Sequence, residues 1–174
     1  MAGDFSKAKE RLYFGYGSNL WKDQMKKRCP TSAYAGIARL NGYQWIINKR
    51  GYANVVETSN TQNETTNVVW GLVFTLQSAD ENKLDVNEGV PEAYTKEDLV
   101  VDFWPVRKDG GKPEVTEKPQ AIEMLVYIDR KRLEPDVPKR EYIYRMYAKN
   151  TCAKRKSSDN QIYITIMLYS TKTS

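Results

Sequence analysis

Two short stretches carry the residues best placed for chemistry. The first is Tyr13-Phe14-Gly15-Tyr16-Gly17-Ser18-Asn19-Leu20. An aromatic strand over Leu12–Tyr16 runs into Gly17-Ser18-Asn19, and an amphipathic segment opens at Asn19 or Leu20. Gly15 and Gly17 admit positive φ and close approach of a ligand to the backbone, and Ser18 or Asn19 can cap the segment that follows. A turn of this kind at the positive end of a helix dipole exposes several amide hydrogens and suits a carboxylate, a phosphate or an oxyanion. The same residue types also build strand-to-helix turns that bind nothing. The second stretch is Asp85-Val86-Asn87-Glu88-Gly89-Val90-Pro91. A negative charge at a helix C-terminus is mildly unfavourable. Glu88 is therefore either an ordinary exposed terminal residue or a carboxylate lifted out of solvent, where it is a better proton acceptor near neutral pH.

Composition restricts what these stretches can do. The 174 residues include no histidine, which excludes Ser-His, Cys-His and His-metal sites and leaves acid–base work to carboxylates, Tyr, Lys or Cys. No HExxH, CxxC or GxxxxGK[ST] pattern occurs, and no metal or cofactor is expected. Cys29 and Cys152 are far apart and in no metal-type spacing, so reduced thiols in a cytoplasmic protein are expected. No apolar run approaches the ~20 residues of a membrane helix. The net charge of +5 is densest in Arg130-Lys131-Arg132 and Lys154-Arg155-Lys156. Acidic residues lie between these runs and no RNA-binding signature accompanies them, so they read as solvated surface, with no specific nucleic acid as partner.

The elements that must position the two stretches are mostly strands. Beyond Leu12–Tyr16, the pattern predicts a helix to Cys29 stopped by Pro30, then strands at Ala33–Leu40, Tyr43–Asn48 and Ala53–Glu57. Asn41-Gly42 is a turn of hairpin type. Residues 59–67 are polar and loop-like, and Val68–Leu76 is almost wholly apolar, as in a strand buried on both faces, with Gly71 marking a bulge or a close backbone approach. Ser78-Ala79-Asp80-Glu81 fits a capping box opening a helix through about Asn87 with Leu84 inward, and Gly89 can stop it in a left-handed conformation. Asp98–Val106 and Ala121–Ile128 read as strands, Lys139–Lys149 as a helix and Ile162–Tyr169, by its two-residue period, as a strand. The sum is an α+β chain: one domain over 1–174, a small mixed barrel or curled sheet with short helices around it, and a leader over 1–11.

The chain resembles the γ-glutamylcyclotransferases. Tyr13 to Leu20 is similar to that family's YGSNL turn, Val69-Trp70-Gly71-Leu72-Val73-Phe74 to its VWG-type strand, and Leu84-Asp85-Val86-Asn87-Glu88-Gly89-Val90 with Tyr94 to its LD-x-x-EG segment and downstream Tyr. Ala38-Arg39-Leu40 looks like its second strand, and Pro138–Met146, with Tyr142, resembles its P-x-x-x-Y helix. The likeness runs from about Leu12 to Met146; the tail over 150–174 departs from the family pattern.

The resemblance implies a mixed α/β fold around a partly closed β-barrel, and a reaction. The α-amine of a γ-glutamyl compound attacks its own γ-carbonyl, giving 5-oxoproline and a free amine. Glu88 takes the catalytic place. Tyr13, Phe14, Gly15, Tyr16, Gly17, Ser18 and Asn19 form the substrate-binding turn, with Tyr94 and Tyr142 positioning substrate or hydrogen-bonding Glu88. The implied partner is a small γ-glutamyl substrate, with a homodimer possible. Related activities on γ-glutamylamines or glutathione, and an impaired member that only binds a ligand or partner, are the alternatives.

Overall fold

A computed structural model describes residues 10–58 and 67–147. The leader over 1–9, most of the polar loop at 59–67, the strand expected at Ile162–Tyr169 and the divergent tail lie outside the described residues. The elements in chain order are β1 (Arg11–Gly15), a 3-10 turn (Ser18–Leu20), α1 (Lys22–Arg28), β2 (Ala33–Asn41), β3 (Tyr43–Ile47) and β4 (Ala53–Glu57). They continue with β5 (Val68–Leu76), α2 (Ser78–Glu88), β6 (Thr95–Pro105), β7 (Gln120–Ile128) and α3 (Arg140–Tyr147).

Five strands close a barrel in the order β1-β5-β2-β6-β7, and β3 with β4 forms a separate two-stranded ribbon. All barrel pairings are antiparallel except the seam, where β1 meets β7 in parallel with Tyr13 opposite Leu125. The expected small mixed barrel with short helices around it is what forms. Strand alternation divides the apolar residues into two cores. Phe14, Leu40, Val73, Val101, Met124 and Val126 belong to one. Tyr13, Ile37, Leu72, Phe74 and Leu125 belong to the other, with Leu20, Met25 and Cys29 from the turn and α1 and with Leu84 from α2. β5 supplies both cores, which explains its unbroken apolar sequence. No helix among the described residues is long and apolar enough to cross a membrane.

Helix α2 buries little beyond Leu84 and Asp80, so ionic contacts do much of its docking. Lys96 on β6 pairs with Glu81 and, at 3.0 Å, with Asp85, while Arg11 on β1 reaches Glu81 at 2.7 Å and Asp98. The Tyr127 hydroxyl donates to Asp85 at 2.6 Å. Asp80 accepts from the Thr31 amide at 2.9 Å, tying α2 to the residues after α1.

Several expectations change. The helix does not open at Asn19 or Leu20, because an extended Trp21 (φ −81°, ψ 108°) separates the 3-10 turn from α1. Neither Ser18 nor Asn19 caps it through a side chain. No capping box forms at Ser78, whose preceding Gln77 takes the cap position without a side-chain bond; Asp80 and Glu81 are drawn instead to Thr31, Arg11 and Lys96. Asn41-Gly42 does not join paired strands, since β2 stays in the barrel while β3 leaves for the ribbon. Arg11 lies in β1, not in a leader. β6 begins at Thr95, ahead of the expected Asp98, because its first residues pair with the end of β7.

Gly71 is a close approach; the register shift of the sheet lies instead in β2, between Tyr34 and Gly36. A Cβ at Gly71 would stand 2.5 Å from a ring carbon of Phe14 and 2.7 Å from the Gly15 carbonyl oxygen. Gly71→Ala should therefore lose about 1–3 kcal/mol of stability through overpacking. Urea unfolding checks it: the midpoint falls with the slope unchanged.

Candidate active site

One end of the barrel carries a cavity of about 180 Å³ lined by the Tyr16–Asn19 turn, the end of α2 and a set of tyrosines. Its geometry is set by the side chain of Asn19, which is 3% exposed. The Asn19 Nδ2 group donates to the Tyr13 hydroxyl at 2.9 Å and to Glu88 Oε1 at 3.1 Å. Its Oδ1 accepts from Arg28 Nη1 at 2.8 Å and from Gln24 Nε2 at 3.3 Å. One amide thus joins β1, the 3-10 turn, α1 and α2. These tertiary partners outcompete the local capping bond that the sequence offered.

Glu88 is the last residue of α2, and Gly89 ends the helix at φ 68°, ψ 43°, in the left-handed conformation open to glycine. The reversal leaves the carboxylate facing the cavity, with its side chain 17% exposed and Arg28 Nη1 3.6 Å from Oε1. Opposite it lies the turn. The amides of Leu20 and Trp21 are taken by the carbonyls of Gly17 and Ser18, at 3.0 and 3.3 Å. Those of Gly17, Ser18 and Asn19 have no backbone acceptor among the described residues. The donors belong to the 3-10 turn and not to the start of α1, so a helix dipole adds nothing here.

Tyrosines form the walls. The Tyr16 hydroxyl donates to the Tyr127 carbonyl at 2.5 Å and the Tyr94 hydroxyl to the Ala53 carbonyl at 2.8 Å. Tyr142, from α3, stands edge-on to Tyr52 with ring centroids 5.4 Å apart. Its hydroxyl closes on the turn, 3.0 Å from where a Cβ at Gly17 would lie.

Glu88, Tyr13, Tyr16, Gly17, Ser18, Asn19, Tyr94 and Tyr142 are brought together around this cavity. Phe14 is fully buried in the barrel core and Gly15 follows it in β1; neither lines the cavity. Sequence reasoning missed Arg28, Arg50, Tyr52 and Tyr127. Spacing pointed away from Arg28, since nine residues along one helix would put it on the face opposite Asn19; it reaches Asn19 Oδ1 because the extended Trp21 separates the 3-10 turn from α1. The others arrive by strand pairing, which spacing does not reveal. The Arg130-Lys131-Arg132 run lies outside the cavity lining and is paired within the chain: Arg130 with Glu97 at 2.6 Å, Lys131 with Glu92 at 3.1 Å, Arg132 with Asp129 at 2.8 Å.

Burial holds the phenols of Tyr13, Tyr16 and Tyr94 above the ordinary tyrosine pKa, and the nearby Glu88 charge adds to it. Tyr127 is raised by burial and then by its bond to Asp85. A folded-state pKa above the unfolded one gives stability that is complete below about pH 10 and lost as pH rises toward the folded value, by up to ~1.4 kcal/mol per pH unit per tyrosine. Unfolding free energy should fall above about pH 10, and native tyrosinate absorbance should lag that of the chain in urea. Full native ionisation at the ordinary tyrosine pKa would contradict this.

Comparison with known proteins identifies the family and the fold. Gamma-glutamylcyclotransferase of Homo sapiens is 29% identical over 89 residues, which is 45% of this chain and 44% of that protein. The Mus musculus protein of the same name is 28% identical over 86 residues, again 45% and 44%. The chain therefore matches less than half the length of these relatives. A solved gamma-glutamyl cyclotransferase superposes with a TM-score of 0.64 at 20% identity, covering 91% of this chain and 87% of that one. An uncharacterized Homo sapiens protein gives 0.61 at 21%, covering 91% and 86%. At these identities the structures establish the fold. The family model described as "Gamma-glutamyl cyclotransferase, AIG2-like" matches residues 13–149, and the chain belongs to that family.

Proposed function

We propose that the chain is a γ-glutamylcyclotransferase that converts a γ-glutamyl amide or γ-glutamyl-amino acid to 5-oxoproline and releases the amine. The observation that carries the proposal is the placement of Glu88: a mostly buried carboxylate, bonded to Asn19, in one cavity with the Gly17–Asn19 turn, whose amides have no backbone acceptor among the described residues.

The nucleophile is in the substrate. Its α-ammonium gives a proton to Glu88, and the freed amine attacks the γ-carbonyl carbon. The new C–N bond closes a five-membered ring while the carbonyl electrons move to oxygen. The turn amides stabilise that oxyanion; losing one such donor typically costs about 2.7–4 kcal/mol. Glu88 then protonates the leaving nitrogen as its bond to carbon breaks. The ring nitrogen sheds its extra proton, which the released amine takes up. Holding amine and carbonyl in contact supplies up to ~7–11 kcal/mol in well-oriented intramolecular reactions. The bent glutamyl chain is held by the tyrosine walls, whose hydroxyls at positions 16 and 94 are committed to backbone carbonyls and so stay neutral and fixed. Arg28 balances the Glu88 charge between turnovers.

Glu88→Gln keeps the side-chain shape and the Asn19 contact on one oxygen. It should melt close to the unsubstituted chain and lose roughly 10²–10⁴ in 5-oxoproline formation from γ-glutamyl-alanine, the typical worth of general acid–base catalysis. Retention of near-full turnover would rule Glu88 out of the proton path. A panel of γ-glutamyl compounds with the released amines identified then assigns the leaving group.

A further inference from the structure

The reaction uses Glu88, the turn and the tyrosines, and leaves one charged side chain of the cavity without a task. Arg50 lines the cavity from the turn between β3 and β4. Its guanidinium carbon lies 5.5 Å from the ring centroids of both Tyr52 and Tyr94, so two aromatic faces hold its plane. Its Nη1 is buried and has no hydrogen-bond partner among the described residues. A buried guanidinium nitrogen without an acceptor is costly. The other such nitrogen among the described residues is Nε of Arg39, whose Nη2 already donates to Asp102 at 2.7 Å. Arg28, the second cation of the cavity, is spent on Asn19 and Glu88.

The backbone beneath Arg50 is built to hold it. The buried Asn48 accepts from the Arg50 amide at 3.0 Å through Oδ1 and donates to the buried Asp129 at 2.9 Å through Nδ2. Gly51, at φ 79°, lies so close to α3 that a Cβ would stand 2.9 Å from the Lys139 nitrogen. The Lys139 amide donates to the Gly51 carbonyl at 3.2 Å. The arginine is therefore fixed by the ribbon below, by two rings at its sides, and by the segment leading into α3.

We propose that Arg50 is a carboxylate-binding, specificity-determining residue of this cavity, with its guanidinium donating to a carboxylate of the bound γ-glutamyl compound. The proposal rests on the cyclotransferase reading for its substrate class. A γ-glutamyl-amino acid offers two such groups, the α-carboxylate of the glutamyl unit and the carboxylate of the leaving amino acid, and three probes separate them. γ-Glutamyl-alanine carries both, γ-glutamyl-ethylamide lacks the second, and 4-aminobutanoyl-alanine lacks the first.

Binding of each probe is measured calorimetrically in the Glu88→Gln chain, where none is consumed, with Arg50 intact and with Arg50→Gln. Arg50→Gln should weaken γ-glutamyl-alanine at least tenfold and leave unaffected the one probe that lacks the carboxylate Arg50 reads. Indifference of γ-glutamyl-ethylamide assigns the leaving group; indifference of 4-aminobutanoyl-alanine assigns the glutamyl unit. Arg50→Lys should restore part of the affinity for the doubly charged probe, and it serves in place of Arg50→Gln if that variant does not fold. Equal weakening of all three probes would mean that Arg50 only shapes the pocket, and no weakening would remove it from binding; either overturns the proposal. Carboxylate-dependent binding without 5-oxoproline from the unsubstituted chain would sink the reaction and leave the role of Arg50 standing. Normal turnover unmoved by Arg50→Gln would do the reverse.

Discussion

The site depends on one carboxamide. Asn19 donates to a phenol and a carboxylate and accepts from a guanidinium and a second amide. Both of its ends are used, so its orientation cannot reverse without setting donors against donors at Arg28 and Gln24. Because it is buried, each lost bond would leave a polar group without water to replace it. That fixes where α2 ends relative to the turn, and with it the distance across the cavity. An aspartate here would set a negative charge against Glu88 in place of a donor; a leucine would strand all of its partners.

The barrel supplies what this amide needs, rigid parts on several sides. β1 carries Tyr13 toward the helices and Phe14 into the interior, so the strand that leads into the turn is clamped on both faces. α2 is weakly apolar and is held by Lys96, Arg11 and Tyr127 along the flank that meets the barrel strands. Such pairs are individually modest when partly solvated. They make a network around Glu81 and Asp85, and their effect is to fix the rotation of the helix so that Glu88 turns inward.

The sequence made much of this visible, for physical reasons. A strand buried on both faces has to be apolar throughout, so Val68–Leu76 could be read directly. Gly89 had to end α2, because only a left-handed residue turns the chain there, and Glu88 beside it was exposed as a carboxylate needing a reason. What was hidden depends on contacts far apart in the chain. Nothing in the spacing of residue 50 places it beside residue 94. Asn19 and Ser78 both fit local capping rules, and both lost to tertiary partners or geometry. Asn41-Gly42 carries the hairpin residues with Gly42 at φ 77°, yet the strands it joins part company, because β2 pairs with β5 and β6 on its two edges.

The parallel seam of the barrel has a consequence for biosynthesis. β1 is made before the other described strands, but its second neighbour, β7, is the last of them, and Tyr13 must wait for Leu125. Until then the sheet has two open edges, with β5 at its middle displaying apolar side chains both ways. Closure at such long sequence separation is slow, and exposed strand edges invite pairing between chains. The nascent protein therefore passes through a window in which it is prone to self-association, and cells making it quickly should depend on chaperones more than the size of the finished barrel implies.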